Sequence, residues 1–272
     1  MQNKFSLEGK VIVITGGTGI IGNSFIKGIT EAGGAVGILG RNEQVAQERA
    51  EKVISEGGKA ITLIADVLDE KSLQEAKNKV LDHFGKIDGL VNAAGGNMPE
   101  AVVQKDDDIF QLNIDGMKRA LDLNLWGTLI PTQVFGKAMV KNKDKGSIVN
   151  ISSMSSKRVI TRVLGYSMGK AAIDCYTQWF AVEMANRFGD KIRMNAIAPG
   201  FFLTEQNRTL LTNTDGSYTE RGNLVLNQTP FKRFGHTDEL IGALQWLLSD
   251  ASLFVTGTVI NVDGGFFVNS GV

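Results

Sequence analysis

The sequence predicts an α/β fold, a doubly wound parallel sheet with helices on both faces. Three observations carry this. Short apolar runs alternate with longer segments of helical period along nearly all of the 272 residues. The first run, "VIVIT" (11–15), opens into a glycine turn, "GGTGIIG" (16–22), and then into a helical pattern. The sequence holds 32 glycines, more than average usage, which implies many tight turns. Alternation repeated this often implies parallel strands covered on both faces.

The expected strands, in order, are 11–15, "AVGIL" (35–39), "AITLIA" (60–65), "GLVNAA" (89–94), "SIVNIS" (147–152), "IRMNAIA" (192–198) and "TVINV" (258–262). Each is short, rich in β-branched or small apolar residues, and bounded by glycine or polar residues. Between them, "EQVAQERAEKVISEGG" and "EKSLQEAKNKVLDHFG" carry apolar residues three and four apart and stop at glycine, a usual helix end. Residues 125–141 and 166–188 read as apolar helices. "KDDDIF" (105–110) reads as a solvated loop or helix start. One stretch breaks the rhythm: residues 201–236 form a long polar insertion before the last helix and strand, and long loops in such domains are usually functional. No linker divides the sequence, so one domain over 1–272 is expected.

Acidic and basic residues balance at 29 each, which argues against a partner that needs a basic field, nucleic acid or membrane surface. The lone cysteine, Cys175, lies in a helical pattern and reads as a core thiol in a reducing compartment. No long uncharged apolar stretch appears, so a cytoplasmic protein is expected. His83 and His236 stand apart, and no metal site is suggested.

The glycine turn permits two spacings. Gly17, Gly19 and Gly22 make G-x-G-x-x-G; Gly16, Gly19 and Gly22 make T-G-x-x-G-x-x-G with Thr15. Either lets backbone approach a pyrophosphate at a helix N-terminus, with Gly16, Thr18, Gly19, Ile20 and Ile21 as its surface. A tight strand–helix junction alone would also ask for glycines. The second strand ends in "ILGRN" with no acidic residue, so Gly40 leaves room for a ribose 2′-phosphate and Arg41 supplies a cation. NADP(H) is therefore favoured, with NAD(H) as the alternative. Arg41 could instead be a solvated charge, and Asn42 could bond a plain ribose.

A second cluster is "NISSMSSKRVITRVLGYSMGK" (150–170). Tyr166 and Lys170 are four apart and share one helix face. A phenol titrates near ~10, too high for proton transfer at neutral pH, and a nearby ammonium lowers it. Ser153 stands at the end of the preceding strand, the edge where open parallel sheets place ligands.

With these pieces the sequence resembles the short-chain dehydrogenases/reductases. The matching segments are "TGGTGIIG", "ADV" (65–67), "VNAAGG" (91–96), "DLNLWGT" (122–128), "SIVNISS" (147–153), "YSMGK" (166–170), "IRMNAIAPGFFLT" (192–204) and "VTGTVINVDGGF" (255–266). The resemblance implies a Rossmann fold of seven strands in the order 3-2-1-4-5-6-7. It implies Tyr166 as general acid/base, Ser153 on the substrate oxygen, and Lys170 on the nicotinamide ribose while depressing the Tyr166 pKa. It implies Asn124 as anchor of a proton-relaying water. Asp66 and Val67 would cover the adenine, with Asn92, Ala93, Ala94 and Gly95 beside it. Pro199, Gly200, Phe202 and Thr204 would lie on the nicotinamide side. The classical branch usually places glycine at position 20; here Ile20 stands there and Gly19 comes one place early.

"ILGRN", "AAGGN", "PTQVF", "APGFFLTEQNR" and the "GGF…SGV" end are similar to the D-mannonate oxidoreductases, or fructuronate reductases, within that family. The resemblance implies an anionic, hydroxyl-rich keto sugar acid, D-fructuronate or D-mannonate. Candidates to hold it are Gly96 and Asn97, the basic wall Lys157, Arg158 and Arg162, and Glu205, Gln206, Asn207 and Arg208 in the insertion. Alternatives are a gluconate-type or other polyol dehydrogenase, a 3-oxoacyl-thioester reductase, and a non-catalytic nucleotide binder. The apolar helices imply a homotetramer or homodimer.

Overall fold

In the computed structural model, which describes residues 3–204, 208 and 210–271, seven strands form one sheet in the order β3-β2-β1-β4-β5-β6-β7. They are β1 (Val11–Thr15), β2 (Ala35–Gly40), β3 (Lys59–Ile64), β4 (Gly89–Asn92), β5 (Gly146–Ile151), β6 (Ile192–Pro199) and β7 (Val259–Val262). Every pairing is parallel. The helices are α1 (Ile20–Glu31), α2 (Glu43–Ser55), α3 (Glu70–Phe84), α4 (Ile114–Leu121), α5 (Gly127–Met139), α6 (Leu164–Phe188), α7 (Glu220–Gln228) and α8 (Ile241–Leu248). The expected strand order is the observed one.

The period of two along β1 separates the two cores. Ile12 and Ile14 pack with α1, α2 and α8; Val11 and Val13 pack with α3, α5 and α6. Burial on both faces is why the strands read as unbroken apolar runs. Side chains set the helix ends. Asn42 and Asp69 cap α2 and α3 through their side-chain oxygens, and α3 stops at Gly85 with φ 77°. By contrast, α1 starts at Gly19 with no side-chain cap.

Three expectations change. β4 ends at Asn92 rather than Ala94, because the N–H groups of Ala93 and Ala94 turn onto Thr15 Oγ1 at 3.1 and 3.2 Å. The 201–236 stretch contains α7, with bridges joining Phe202 to Gly235 and Thr212 to Tyr218. Its Leu211, Val225, Leu226 and Phe234 form a small core with Met154 and Phe266. An apolar stripe in a mostly polar sequence was enough to dock it. Cys175 is exposed, not a core thiol, because it lies on the face of α6 turned from the sheet. Residues 105–110 are turns whose Phe110 is exposed, and α4 begins only at Ile114.

Candidate active site

The C-terminal ends of β1, β4, β5 and β6 converge on one edge. At β1, Gly16 takes φ 66°, and a Cβ there would lie 2.7 Å from Ala93 O. A Cβ at Gly22 would lie 2.3 Å from Gly16 O, whereas at Gly19 the nearest atom is 3.3 Å away. Gly16 and Gly22 are thus the positions sterics demands, and moving the middle glycine by one place leaves the turn intact. The N–H groups of Thr18, Ile20 and Ile21 meet no backbone acceptor among the described residues. A helix N-terminus with open donors and no acidic residue in its first turn suits a pyrophosphate.

The adenosine side differs from expectation in detail. The space over Gly40 is filled by Thr18, whose Cγ2 would lie 2.6 Å from a Cβ there, so Gly40 makes room for Thr18. Asn42 Oδ1 accepts from Val45 N–H at 3.1 Å and is committed to capping α2. Arg41 is exposed, with Nη1 3.7 Å from Asp66 Oδ2. Asp66 Oδ1 accepts from Leu68 N–H. The Val67 side chain is buried under the start of α5, 2.9 Å from a Cβ at Gly127. Asn92 is buried too; its Nδ2 donates to Thr132 Oγ1 and Asn150 Oδ1, tying β4 to α5 and β5.

Next comes the catalytic edge. A π turn, Asp122–Trp126, precedes α5 and carries Asn124. Such turns recur at functional sites. Asn124 Nδ2 donates to Gly96 O and Ala120 O, both at 2.7 Å, and Oδ1 accepts from Gly96 N–H. Its side chain therefore holds the Gly95–Gly96 backbone. A Cβ at Gly95 would lie 2.8 Å from Asn124 Oδ1 and 3.2 Å from Lys170 Nζ. Asn97 keeps a buried Oδ1 with no partner among the described residues.

Ser153, Tyr166 and Lys170 meet as expected from their spacing. The Ser153 hydroxyl lies beside the Tyr166 phenol and favours its ionised form. Lys170 Nζ donates to Ile151 O at 2.7 Å and lies 5.5 Å from the Tyr166 ring centroid. The Tyr166 pKa runs opposite to expectation. Burial raises the phenol above its ordinary value, only partly offset by Ser153. The cation lies over the ring, and burial also shifts the lysine, down to about 8, with Asp174 opposing.

Further residues outside the motifs hold this edge. Ser152 Oγ and Ser156 Oγ donate to Asp174 Oδ1 and Oδ2 at 2.5 and 2.6 Å, and Ser155 Oγ lies 3.1 Å from Ser153 Oγ. The legible signal was Asp174 four residues beyond Lys170, one turn on, facing the serine run. Arg49 of α2 is another such residue. Its Nη1 donates to Gly17 O and Gly19 O.

The basic wall splits apart. Arg158 Nη1 donates to Phe267 O and Asn269 O, so it ties down the C-terminal segment and not a ligand. Arg162 takes φ 77°, bonds Val103 O through Nε and Gln104 Oε1 through Nη2, and closes the 99–104 turn over the α6 start. Lys157 is exposed, 5.8 Å from the Phe267 ring centroid. On the β6 side, Gly200 N–H donates to Val262 O, and the Phe202 ring is buried against Gly235 instead of lining a cofactor face. Pro199 ends β6, Thr204 is half-buried and Arg208 is exposed. Glu205, Gln206 and Asn207 lie outside the described residues.

A doubly wound sheet with a donor-lined glycine turn, and a serine, tyrosine and lysine at the same edge, defines a dinucleotide-binding oxidoreductase. The comparisons agree. A family model described as enoyl-(acyl carrier protein) reductase matches residues 18–267. The oxidoreductase UxuB of Bacillus subtilis, itself uncharacterized, is 41% identical over 98% of both chains. A 2-dehydro-3-deoxy-D-gluconate 5-dehydrogenase of Dickeya dadantii is 33% identical over 97% of this chain and 98% of its own. A crystal structure from Haemophilus influenzae with bound NAD, provisionally named a D-mannonate oxidoreductase, superposes with a TM-score of 0.90 at 40% identity over 98% of both chains. The chain belongs to the short-chain dehydrogenase/reductase family and is an oxidoreductase that uses a nicotinamide cofactor.

Proposed function

We propose that the protein interconverts a keto sugar acid and its hydroxy acid, D-fructuronate and D-mannonate. The observation that carries the chemistry is the Ser153 hydroxyl beside the Tyr166 phenol, with the buried Lys170 over the phenol ring. The nicotinamide supplies or accepts the hydride when bound. Tyr166 Oη gives the carbonyl oxygen its proton in the reducing direction and takes it back in the other. Ser153 Oγ bonds that same oxygen and aligns it. Lys170, brought by burial to about 8, lies over the phenol ring and would bind the ribose. Asn124 fixes the Gly95–Gly96 backbone beside them.

The substrate class rests on polarity. Asn97 offers a buried, unpartnered amide oxygen to a substrate hydroxyl. Arg221 stands near enough to Arg162 to feel its charge: Arg221 Nη2 donates to Thr161 O at 3.4 Å, and neither guanidinium ion-pairs among the described residues. Two guanidiniums without a carboxylate suit an anionic substrate. The likeness to the NAD-bound Haemophilus protein supports the same reading. Cofactor oxidation against D-fructuronate, 5-keto-D-gluconate and a 3-oxoacyl thioester tests it. Turnover preferring the uronate is expected. Preference for the gluconate or the thioester would replace it with the polyol dehydrogenase or acyl reductase reading, and no turnover with any would favour a non-catalytic binder.

A further inference from the structure

We propose that Arg49 is a positioning residue for the cofactor's pyrophosphate, acting from behind the glycine turn. Its Nη1 reaches from α2 and donates to Gly17 O at 2.5 Å and Gly19 O at 2.7 Å. The guanidinium is half-buried, and burial lowers its pKa. No carboxylate pairs with it among the described residues.

The consequence follows from peptide geometry. In a planar trans peptide the carbonyl of one residue and the N–H of the next point in opposite directions. Holding Gly17 O on Arg49 therefore aims the Thr18 N–H away from α2. Holding Gly19 O does the same for the Ile20 N–H. These are donors that α1 leaves open at its uncapped start. A cation on the carbonyl side also polarises both peptides and strengthens their N–H groups as donors. Asn23 N–H donates to Gly19 O as well, at 3.0 Å, so the same carbonyl links the first turn of α1 to the clamp. In a turn whose middle glycine comes one place early, Arg49 holds the alignment that the glycine pattern leaves free.

The inference rests on the dinucleotide lying on this turn, and the experiment separates the two. Binding of NADH and of NADPH is titrated by fluorescence for wild type, Arg49→Met and Arg49→Lys, with kcat at saturating cofactor measured beside it. Arg49→Met is expected to weaken both cofactors by the same factor, about five- to thirtyfold, while kcat stays within about twofold. Arg49→Lys keeps the charge, but as a more strongly hydrated ammonium on a shorter stem that reaches the two carbonyls less well, and falls between. Unchanged dissociation constants would overturn the proposal. Loss confined to NADPH would also overturn it, since Arg49 would then be a 2′-phosphate ligand. Should Arg49→Met fail to fold, Arg49→Lys decides: binding as tight as wild type rejects the clamp. A wild-type protein that binds neither cofactor would remove the site itself and this inference with it.

Discussion

Replacing Lys170 by methionine should make the protein more stable at neutral pH while abolishing its chemistry. Lys170 is 4% exposed, and burial brings its ammonium from 10.5 to about 8. A lysine whose folded pKa lies below its unfolded one is destabilising wherever it is charged in the unfolded state, and the full cost is felt below pH 8. That cost disappears as pH rises from 8 to 10.5, where the unfolded protein binds more protons than the folded one. The fall from 10.5 to about 8 amounts to ~3 kcal/mol. Methionine removes it but forfeits the bond to Ile151 O, which takes back ~1–2 kcal/mol. Lys170→Met should therefore gain ~1–2 kcal/mol at pH 7 and become the less stable of the two near pH 10. Urea unfolding followed by tryptophan fluorescence, run on both proteins from pH 7 to pH 10, reads this directly. A variant less stable at pH 7, or a gap that does not shrink between pH 8 and 10, would refute the reasoning.

Tyr166→Phe should keep cofactor binding and lower turnover by roughly 10²–10⁴; a near-native rate would place the proton donor elsewhere. Arg41→Ala should weaken NADPH more than NADH by roughly ten- to a hundredfold if the exposed guanidinium meets a 2′-phosphate, and equal loss for both would exclude that role. Trp179 and Val182 leave an apolar face on α6, 58% and 59% exposed, and Phe254, in the segment leading into β7, is fully exposed. We therefore expect a homotetramer or homodimer by light scattering at micromolar concentration, split by Val182→Asp; a monomeric wild type would reject this.

Much of the edge was legible because local rules fix it. Strands buried on both faces must be apolar, so seven short runs announced the sheet. Tyr166 and Lys170 share a helix face by spacing alone. The substrate wall was not legible. Lys157, Arg158 and Arg162 are close neighbours in sequence, yet each points elsewhere, because the segment leaving β5 is irregular and its arginines go to whichever carbonyls come near. Asn42 and Asn92 stand at strand ends, where ligand contacts are expected. One caps a helix and the other ties β4 to α5 and β5, since a helix end claims the first and buried polar side chains claim the second.

By itself the sequence determined the alternation, the glycine turn and the reactive trio, all consequences of residue type and spacing within one element or at one junction. Tertiary structure alone decided what depends on distance across the fold. It put Thr18 over Gly40, Asp174 under the serine run and Arg49 behind the glycine carbonyls. It also raised the Tyr166 pKa, which the nearby lysine was expected to lower. A pKa answers to how much water the packed protein excludes, and no spacing along a sequence encodes that.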